Sequence, residues 1–217
     1  MNNSFQDVDS IFAQLFERYP ELNACRDSIM FAYRIIVKTY ESNRCLFVAG
    51  NGGSAADSEH IIGELMKSFM AKRSVDGKTG NRLKELYGEE GARLSNALED
   101  GLPAFSLPSL AALTTAISND TGGEMIFAQS LYAASREGDA FLAISTSGNS
   151  KNLVAAIMTA NAKGLKSIGL TGEKHCRMDE LCDIVIHVPQ TETFKVQELH
   201  LPIYHALCAM LESHFFG

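Results

Sequence analysis

The sequence lacks a long apolar run, a surplus of positive charge and a paired set of cysteines, and each absence excludes a class of protein. No stretch of its 217 residues approaches the ~20 consecutive apolar residues that cross a bilayer, so we expect no membrane-spanning segment and no membrane partner. Lysine and arginine total 19 against 26 aspartates and glutamates. The resulting net charge of −7 argues against nucleic acid as a partner, because nucleic-acid-binding surfaces need a basic stripe.

Cysteine use favours a reducing compartment. The five cysteines are odd in number and lie mostly among apolar neighbours, as buried free thiols do. Residues 1–10 are polar and acidic, unlike a secretory signal. We therefore expect a cytoplasmic protein, and the length suits one α/β domain spanning residues 1–217.

Short apolar runs alternate with stretches of helical periodicity, which indicates βαβ units and a mainly parallel sheet. Residues 1–43 form a predicted N-terminal helical segment, divided at Pro20. The five predicted strands are residues 45–49, 104–107, 140–145, 166–171 and 183–188. Predicted helices cover residues 54–69, 109–117, 121–134, 150–162 and 193–215.

Residues 70–104 interrupt this alternation. They are polar and rich in glycine, which indicates an insertion on the surface of the domain. Their apolar residues would form one face of a broken helical hairpin: Leu83, Leu86, Tyr87, Leu94 and Leu98. The segment is either a plain loop excursion or a lid or subunit contact.

Two separate loops have the composition of a phosphate site. The first is Gly50-Asn51-Gly52-Gly53-Ser54 and the second is Ser145-Thr146-Ser147-Gly148-Asn149-Ser150. Each follows an apolar strand and precedes a helix, with Ser54 as the expected N-cap of the first helix. A helix N-terminus offers unpaired N–H groups to an anion, glycines allow close approach of the backbone, and hydroxyls add donors. Two such loops predict a phosphorylated small-molecule ligand.

Two pairs of polar residues at helical spacing follow these loops. His60 and Glu64 are four residues apart and share a helix face, and Gln197 and His205 share a side of the last helix. A carboxylate and an imidazole with pKa values near neutrality can transfer a proton next to a carbonyl, as an aldose–ketose interconversion requires. The same four side chains are also suitable zinc ligands, and the residues alone leave both interpretations open.

Other histidines receive no functional role. His175 lies near Cys176 and Cys182, but the spacing is not that of a zinc ribbon, so we expect a loop histidine. His187 lies in a predicted strand.

Together these motifs strongly resemble the sugar isomerase (SIS) domain superfamily, and within it the phosphoheptose isomerase family. The resemblance covers nearly the whole chain except residues 70–104. It is carried by residues 50–54, Asp57, His60, Glu64, Asn119-Asp120, residues 145–150 and the last helix with Gln197, His200 and His205. It implies a three-layer, flavodoxin-like α/β fold, with a mainly parallel five-stranded sheet between helices and the helical segment at its N-terminus.

The resemblance also implies a role for each candidate residue. Glu64 and His205 would be the catalytic pair that converts sedoheptulose 7-phosphate to D-glycero-D-manno-heptose 7-phosphate through an enediol, at the start of ADP-heptose synthesis. The phosphate would contact Ser54, Ser145, Thr146, Ser147 and Ser150, with Gly52 and Gly53 shaping the first loop. Asn51, Asp120 and Gln197 would meet sugar hydroxyls. Zinc-containing members imply a zinc ion at His60, Glu64, Gln197 and His205.

Family members are typically homotetramers with sites shared between subunits, so the resemblance implies a homo-oligomer. Lys67 and Ser68 stand where the family often has an arginine after the glutamate, and Lys67 would supply charge without bidentate geometry. Two alternative functions stay open: an isomerase of another phosphosugar, and a non-catalytic SIS module that binds sugar phosphates or proteins.

Overall fold

A parallel sheet of five strands in the order β2-β1-β3-β4-β5 lies at the centre of the computed structural model, which describes residues 6–217. The strands are β1 (Leu46–Gly50), β2 (Ala104–Ser106), β3 (Ala140–Ile144), β4 (Lys166–Thr171) and β5 (Ile184–His187). The helices are α1 (Val8–Arg18), α2 (Arg26–Glu41), α3 (Gly53–Met66), α4 (Gly77–Ala97), α5 (Ala111–Asp120), α6 (Ile126–Ala134), α7 (Lys151–Ala162) and α8 (Thr193–Phe216). The predicted five-stranded α/β fold is confirmed, with strand bounds that agree to within one residue.

Buried residues on both faces of the sheet produce the three layers. Side chains alternate along a strand, so Leu142 and Ile144 of β3 pack into a core cluster with α1, α2 and α8. Phe141 and Ala143 point the other way and pack with residues of α6 and α7. β3 is buried at every position, as expected for a central strand covered by helices on both sides.

The strand order brings the ends of β1 and β3 to a crevice. β1 lies between β2 and β3, so the chain leaves β1 toward one edge and later returns to its other side. Ligands of doubly wound folds bind at this reversal, outside the carboxyl ends of the strands. Both predicted phosphate loops begin at these two ends.

Several helix boundaries differ from the sequence expectation, and among them α3 ends at Met66 rather than at 69 and α5 ends at Asp120 rather than at 117. Pro20 begins a 3-10 helix (Pro20–Cys25) between α1 and α2, because proline suits a first helical turn. A second 3-10 turn, Leu107–Ser109, delays α5 to Ala111. Gly122, with φ of 102°, prevents the helix from continuing after α5, so α6 starts at Ile126 rather than at 121. Residues 1–5 of the predicted N-terminal segment lie outside the described residues.

The inserted segment forms the predicted broken helical hairpin. Gly88, with φ of 55°, interrupts α4 and reverses the chain. The two halves pack so closely that a Cβ on Gly91 would lie 1.9 Å from the carbonyl oxygen of Leu83. Ser74 and Glu99 pair in an antiparallel bridge where the segment leaves and rejoins the domain. Most of the predicted apolar face is exposed, with Leu83 and Leu94 half-buried and Leu86, Tyr87 and Leu98 exposed.

All five cysteines are free thiols, as predicted. Within residues 6–217, none of the helices combines the length and the apolar character that a bilayer crossing requires.

A buried histidine on α8 makes stability depend on pH. His200 is 0% exposed, and neither ring nitrogen has a hydrogen-bond partner within residues 6–217. Burial lowers its pKa from 6.5 to about 4. At pH values between 4 and 6.5, His200 is therefore more often protonated in the unfolded chain than in the folded protein. Its contribution to the free energy of unfolding is fully present above pH 6.5 and is lost as the pH falls toward 4.

We expect the free energy of unfolding of the wild type to fall by about 3 kcal/mol more than that of a His200→Gln variant between pH 7 and pH 4. Urea unfolding followed by circular dichroism at a series of pH values measures this difference. Parallel pH profiles of the two proteins would contradict a neutral buried imidazole.

Candidate active site

The first glycine loop turns β1 into α3 at the crevice. Gly52 has φ of 57° and precedes the first residue of α3, so it occupies the N-cap position. The expectation that Ser54 caps this helix is therefore wrong: a left-handed glycine makes the turn, and Ser54 lies in the first helical turn. Ser54 is 3% exposed, and its backbone lies so close to Gly50 that a side chain on that glycine would collide with it.

The second loop is closed by its own hydroxyl groups. The hydroxyl oxygen of Ser145 accepts the backbone N–H of Gly148 at 3.1 Å and lies 3.2 Å from the hydroxyl of Ser150. Gly148 has φ of 64°, which reverses the chain before α7 begins at Lys151. The loop thus presents hydroxyls and N–H groups next to a helix N-terminus, as anion-binding loops do.

A cavity of about 230 Å³ opens beside this second loop. It is lined by Thr146, Ser147, Asn149, Gly172, Glu173, Lys174, His175, Gln190, Thr191 and Thr193. Lys174, which was not predicted from the sequence, adds a positive charge next to these hydroxyls and amides. Lys174 could have been identified from its position just after β4, because that strand ends at the same edge of the sheet as β1 and β3.

The two loops are joined directly to each other and to α8. The amides of Asn51 and Asn152 exchange two hydrogen bonds, at 3.0 and 2.8 Å. The amide of Gln197 lies over the start of α3, where a Cβ on Gly53 would be 2.6 Å from its Nε2. Asn152, which the sequence analysis missed, stands two residues after Ser150 in the first turn of α7.

Two histidines and a carboxylate converge where α3 meets α8. The Nε2 atom of His60 lies 3.2 Å from Oε1 of Glu64 and 3.4 Å from Nε2 of His205. Glu64 is 14% exposed and His60 is 43% exposed, so the group is open to solvent on one side. The helical spacing predicted the pair within α3, but only the packing of α3 on α8 brings His205 to it.

Tyr204 and Asp57 determine which nitrogen of His60 carries the proton. The Tyr204 hydroxyl donates to Oδ1 of Asp57 at 3.2 Å and lies 3.1 Å from Nδ1 of His60. Because its one proton goes to Asp57, the hydroxyl accepts from Nδ1–H, and Nε2 of a neutral His60 keeps its lone pair toward Glu64 and His205. Tyr204 was not predicted, although it lies seven residues after Gln197, two turns along the same face.

Burial shifts two ionisation equilibria here. Burial, together with the neighbouring His60, lowers the pKa of His205, so its imidazole is neutral near pH 7. Burial raises the pKa of Asp57 despite the hydrogen bond from Tyr204.

The three converging atoms match a divalent cation at only two of their three separations, because the ligand atoms of Glu64 and His205 do not lie within 4.8 Å of each other. Ligands at about 2.0–2.1 Å from a tetrahedral zinc ion are roughly 3.3 Å apart, close to the 3.2 and 3.4 Å separations of Nε2 of His60 from its neighbours. A neutral His60 also presents a lone pair to both partners. Gln197, the fourth expected ligand, lies instead against Gly53, two helical turns before His60.

Asp120 lies apart from these groups. It is the exposed last residue of α5, and within the described residues its one hydrogen-bond partner is the adjacent Asn119, at 3.0 Å.

A buried ion pair holds the end of α3 beneath the site, and sequence reasoning missed it. Arg73 donates to the carbonyl oxygens of Leu65 at 2.7 Å and Glu64 at 3.0 Å, which lack partners within the helix because α3 ends there. Its Nε atom donates to Glu212 at 2.8 Å. Glu212 also accepts the backbone N–H groups of residues 69–71.

We expect Tyr204→Phe to lower kcat by about tenfold with little change in KM, because removing the hydroxyl frees the His60 ring without emptying the space that the ring of Tyr204 fills. Steady-state kinetics measures the split between kcat and KM. Tyr132→Phe, at an exposed tyrosine, is the matched control. Equal kcat values for the two variants would show that Tyr204 does not position His60.

The fold and the site together define the class of the protein. A flavodoxin-like sheet with two hydroxyl-rich loops at its reversal point is the arrangement of SIS domains, and the SIS domain profile matches residues 112–213.

The chain belongs to the phosphoheptose isomerase family. It is 37% identical to a phosphoheptose isomerase of Aneurinibacillus thermoaerophilus over 83% of this chain and 78% of that protein. It is also 37% identical to phosphoheptose isomerase 2 of Campylobacter jejuni over 84% of this chain and 78% of that protein. The solved structure of the Neisseria gonorrhoeae phosphoheptose isomerase superposes with a TM-score of 0.72 at 27% identity, covering 95% of this chain and 97% of that one.

Proposed function

We propose that this protein is an aldose–ketose isomerase that converts sedoheptulose 7-phosphate to D-glycero-D-manno-heptose 7-phosphate, the first step of ADP-heptose synthesis. The observation that carries the proposal is the convergence of Glu64 and His205 on His60, where α3 packs on α8, in a fold shared with phosphoheptose isomerases.

The second loop binds the phosphate in this proposal. The hydroxyls of Thr146 and Ser147 line the cavity, and the N-terminus of α7 supplies a positive dipole end. Ser54, Ser145 and Ser150 complete the phosphate contacts, and Gly52 and Gly53 let the first loop approach closely. The sugar hydroxyls meet Asn51, Asp120 and Gln197.

Glu64 and His205 carry the protons. Sedoheptulose 7-phosphate has a carbonyl at C2, and the Glu64 carboxylate takes a proton from C1 while His205, in the imidazolium form that is its minor form near pH 7, gives one to the oxygen on C2. The resulting enediol collapses when His205 removes the proton from the oxygen on C1 and Glu64, whose carboxyl proton exchanges with solvent, gives a proton to C2. Each residue ends in its starting state, and the product is the aldose.

The resemblance also predicts a zinc ion at His60, Glu64, Gln197 and His205, and Glu64 and His205 would not be free for proton transfer while they bind it. A bound divalent ion supplies Lewis-acid polarisation of the sugar oxygens. In the chain itself, Tyr204 orients His60, and the Arg73–Glu212 pair fixes the end of the helix that carries Glu64.

The proposal extends to the assembly. Residues 1–217 form one SIS domain in a cytoplasmic homotetramer whose sites combine residues of neighbouring subunits. Asp120, which is exposed at the end of α5, would then contribute to a substrate site that a neighbouring subunit completes.

A substrate panel tests the proposed specificity. Metal-stripped protein, with and without added zinc, is incubated with sedoheptulose 7-phosphate, fructose 6-phosphate and ribulose 5-phosphate, and products are followed by NMR. We expect the highest kcat/KM for sedoheptulose 7-phosphate. A higher value for the pentose or hexose phosphate would establish another phosphosugar isomerase, and binding of all three without conversion would establish a binding module.

A further inference from the structure

Three metal-binding side chains meet behind the second loop, away from the proposed catalytic group. Cys176 immediately precedes a 3-10 helix (Arg177–Glu180) that contains Asp179, and His187 ends β5. One ligand atom from each of Cys176, Asp179 and His187 lies within 4.8 Å of the other two. From the sequence, no metal site was predicted near Cys176, His187 received no role, and Asp179 was not identified.

His187 is oriented as metal-bound histidines are. Its Nδ1 atom lies 2.7 Å from the carbonyl oxygen of Gly172, which can only accept, so Nδ1 carries the proton. The Nε2 atom of a neutral ring then directs its lone pair at Oδ1 of Asp179, 2.6 Å away. Two acceptor atoms at this distance require a proton or a cation between them.

The carboxylate of Asp179 is held in place by the backbone of Cys176. The N–H of Cys176 donates to Oδ2 at 2.7 Å, which leaves Oδ1 for His187.

The sulfur of Cys176 is equally confined. The residue is 5% exposed, and a Cβ on Gly148 would lie 2.1 Å from Sγ, so the thiol packs against the turn of the second loop. A soft donor is thus fixed beside the imidazole and the carboxylate.

We propose that Cys176, Asp179 and His187 form a structural zinc site, with His175 as the fourth ligand. Thiolate and carboxylate together carry a charge of −2, which balances Zn²⁺ when both imidazoles are neutral. The ligand atoms of a tetrahedral zinc ion are roughly 3.3–3.6 Å apart. In this structure Nε2 of His187 lies 2.6 Å from Oδ1 of Asp179, and no two of the three ligand atoms are more than 4.8 Å apart. His175 is 79% exposed with Nδ1 2.7 Å from Asp179, so it can turn toward the ion. The thiol releases its proton to solvent as the Zn–S bond forms.

This zinc ion would brace the second loop. The backbone N–H of Arg177 donates to the side chain of Asn149 at 2.9 Å, and the N–H of Gly172 donates to the carbonyl of Thr146 at 3.3 Å. Metal binding would therefore restrict the motion of the second loop, which forms one side of the cavity.

Cobalt(II) tests the site without any assay of activity. Chelator-treated protein is titrated with Co²⁺, whose bond to a thiolate gives a charge-transfer band in the near ultraviolet. The titration uses an E64Q/H205A background, so that the catalytic group does not compete. We expect the band to saturate at one cobalt per chain and to disappear on addition of Zn²⁺.

Matched variants locate the ligand sulfur. In the same background, Cys176→Ser and His187→Gln are expected to abolish the band, whereas Cys182→Ser, which removes the next cysteine along the chain, keeps it. Circular dichroism confirms that each variant folds. Absence of the band from the parent protein, or its persistence in Cys176→Ser, would overturn the site and leave a proton between His187 and Asp179.

Discussion

Replacing Glu64 with glutamine is expected to lower kcat for sedoheptulose 7-phosphate by about 10²-fold or more, and His205→Ala to do the same. Each change removes a proton-transfer group where α3 meets α8, but neither removes the loops that hold the phosphate. The Kd for the sugar phosphate, measured by calorimetry, is therefore expected to change far less than kcat.

Glu59→Gln is the matched control for the first variant. Glu59 is an exposed carboxylate on the same helix, hydrogen-bonded to Ser109, and it does not face His60 or His205. Its kcat is expected to match that of the wild type. Near-wild-type turnover by both Glu64→Gln and His205→Ala would contradict the assignment of the catalytic pair.

The second large effect is on stability. Glu212→Gln is expected to lower the free energy of unfolding by about 3–5 kcal/mol, because it leaves the guanidinium of Arg73 buried without its countercharge. Arg73 is 0% exposed and Glu212 is 2% exposed, so solvent cannot compensate for the lost partner. Urea unfolding followed by circular dichroism measures the change.

An exposed ion pair supplies the control for this prediction. Arg82 and Glu85 on α4 are 66% and 65% exposed and lie 3.3 Å apart. Surface pairs contribute about 1 kcal/mol or less, so Glu85→Gln is expected to change stability very little. Equal unfolding midpoints for Glu212→Gln and Glu85→Gln would show that the buried pair is not a major source of stability.

The parts of the fold that the sequence predicted are those with short-range signals. Apolar runs such as 140–144 are buried on both faces, and that pattern is visible in the residues themselves. The insertion was predicted as a broken helical hairpin from its many glycines and the helical spacing of its apolar residues. The start of α6 was predicted too early because the turn at Gly122 depends on a backbone conformation that composition does not specify.

The site residues that could be predicted are likewise those with short-range sequence signals. His60 and Glu64 were predicted together because helical spacing alone places them on one face. Tyr204, Arg73 and Glu212 were missed because their roles depend on contacts between segments more than 130 residues apart, as between Phe69 and Glu212 at a separation of 143. Gln197 was identified from its spacing to His205 and Asp120 from the resemblance, and the contacts of both with ligand stay predictions.

The most direct test of the account is the reaction itself in D₂O. Wild-type protein is incubated with sedoheptulose 7-phosphate and the mixture is followed by NMR. Proton transfer through an enediol predicts an aldoheptose 7-phosphate that carries solvent deuterium at C2. Failure to form the aldose would contradict the proposed function, and complete retention of the C1 hydrogen over many turnovers would indicate a hydride shift and contradict the enediol.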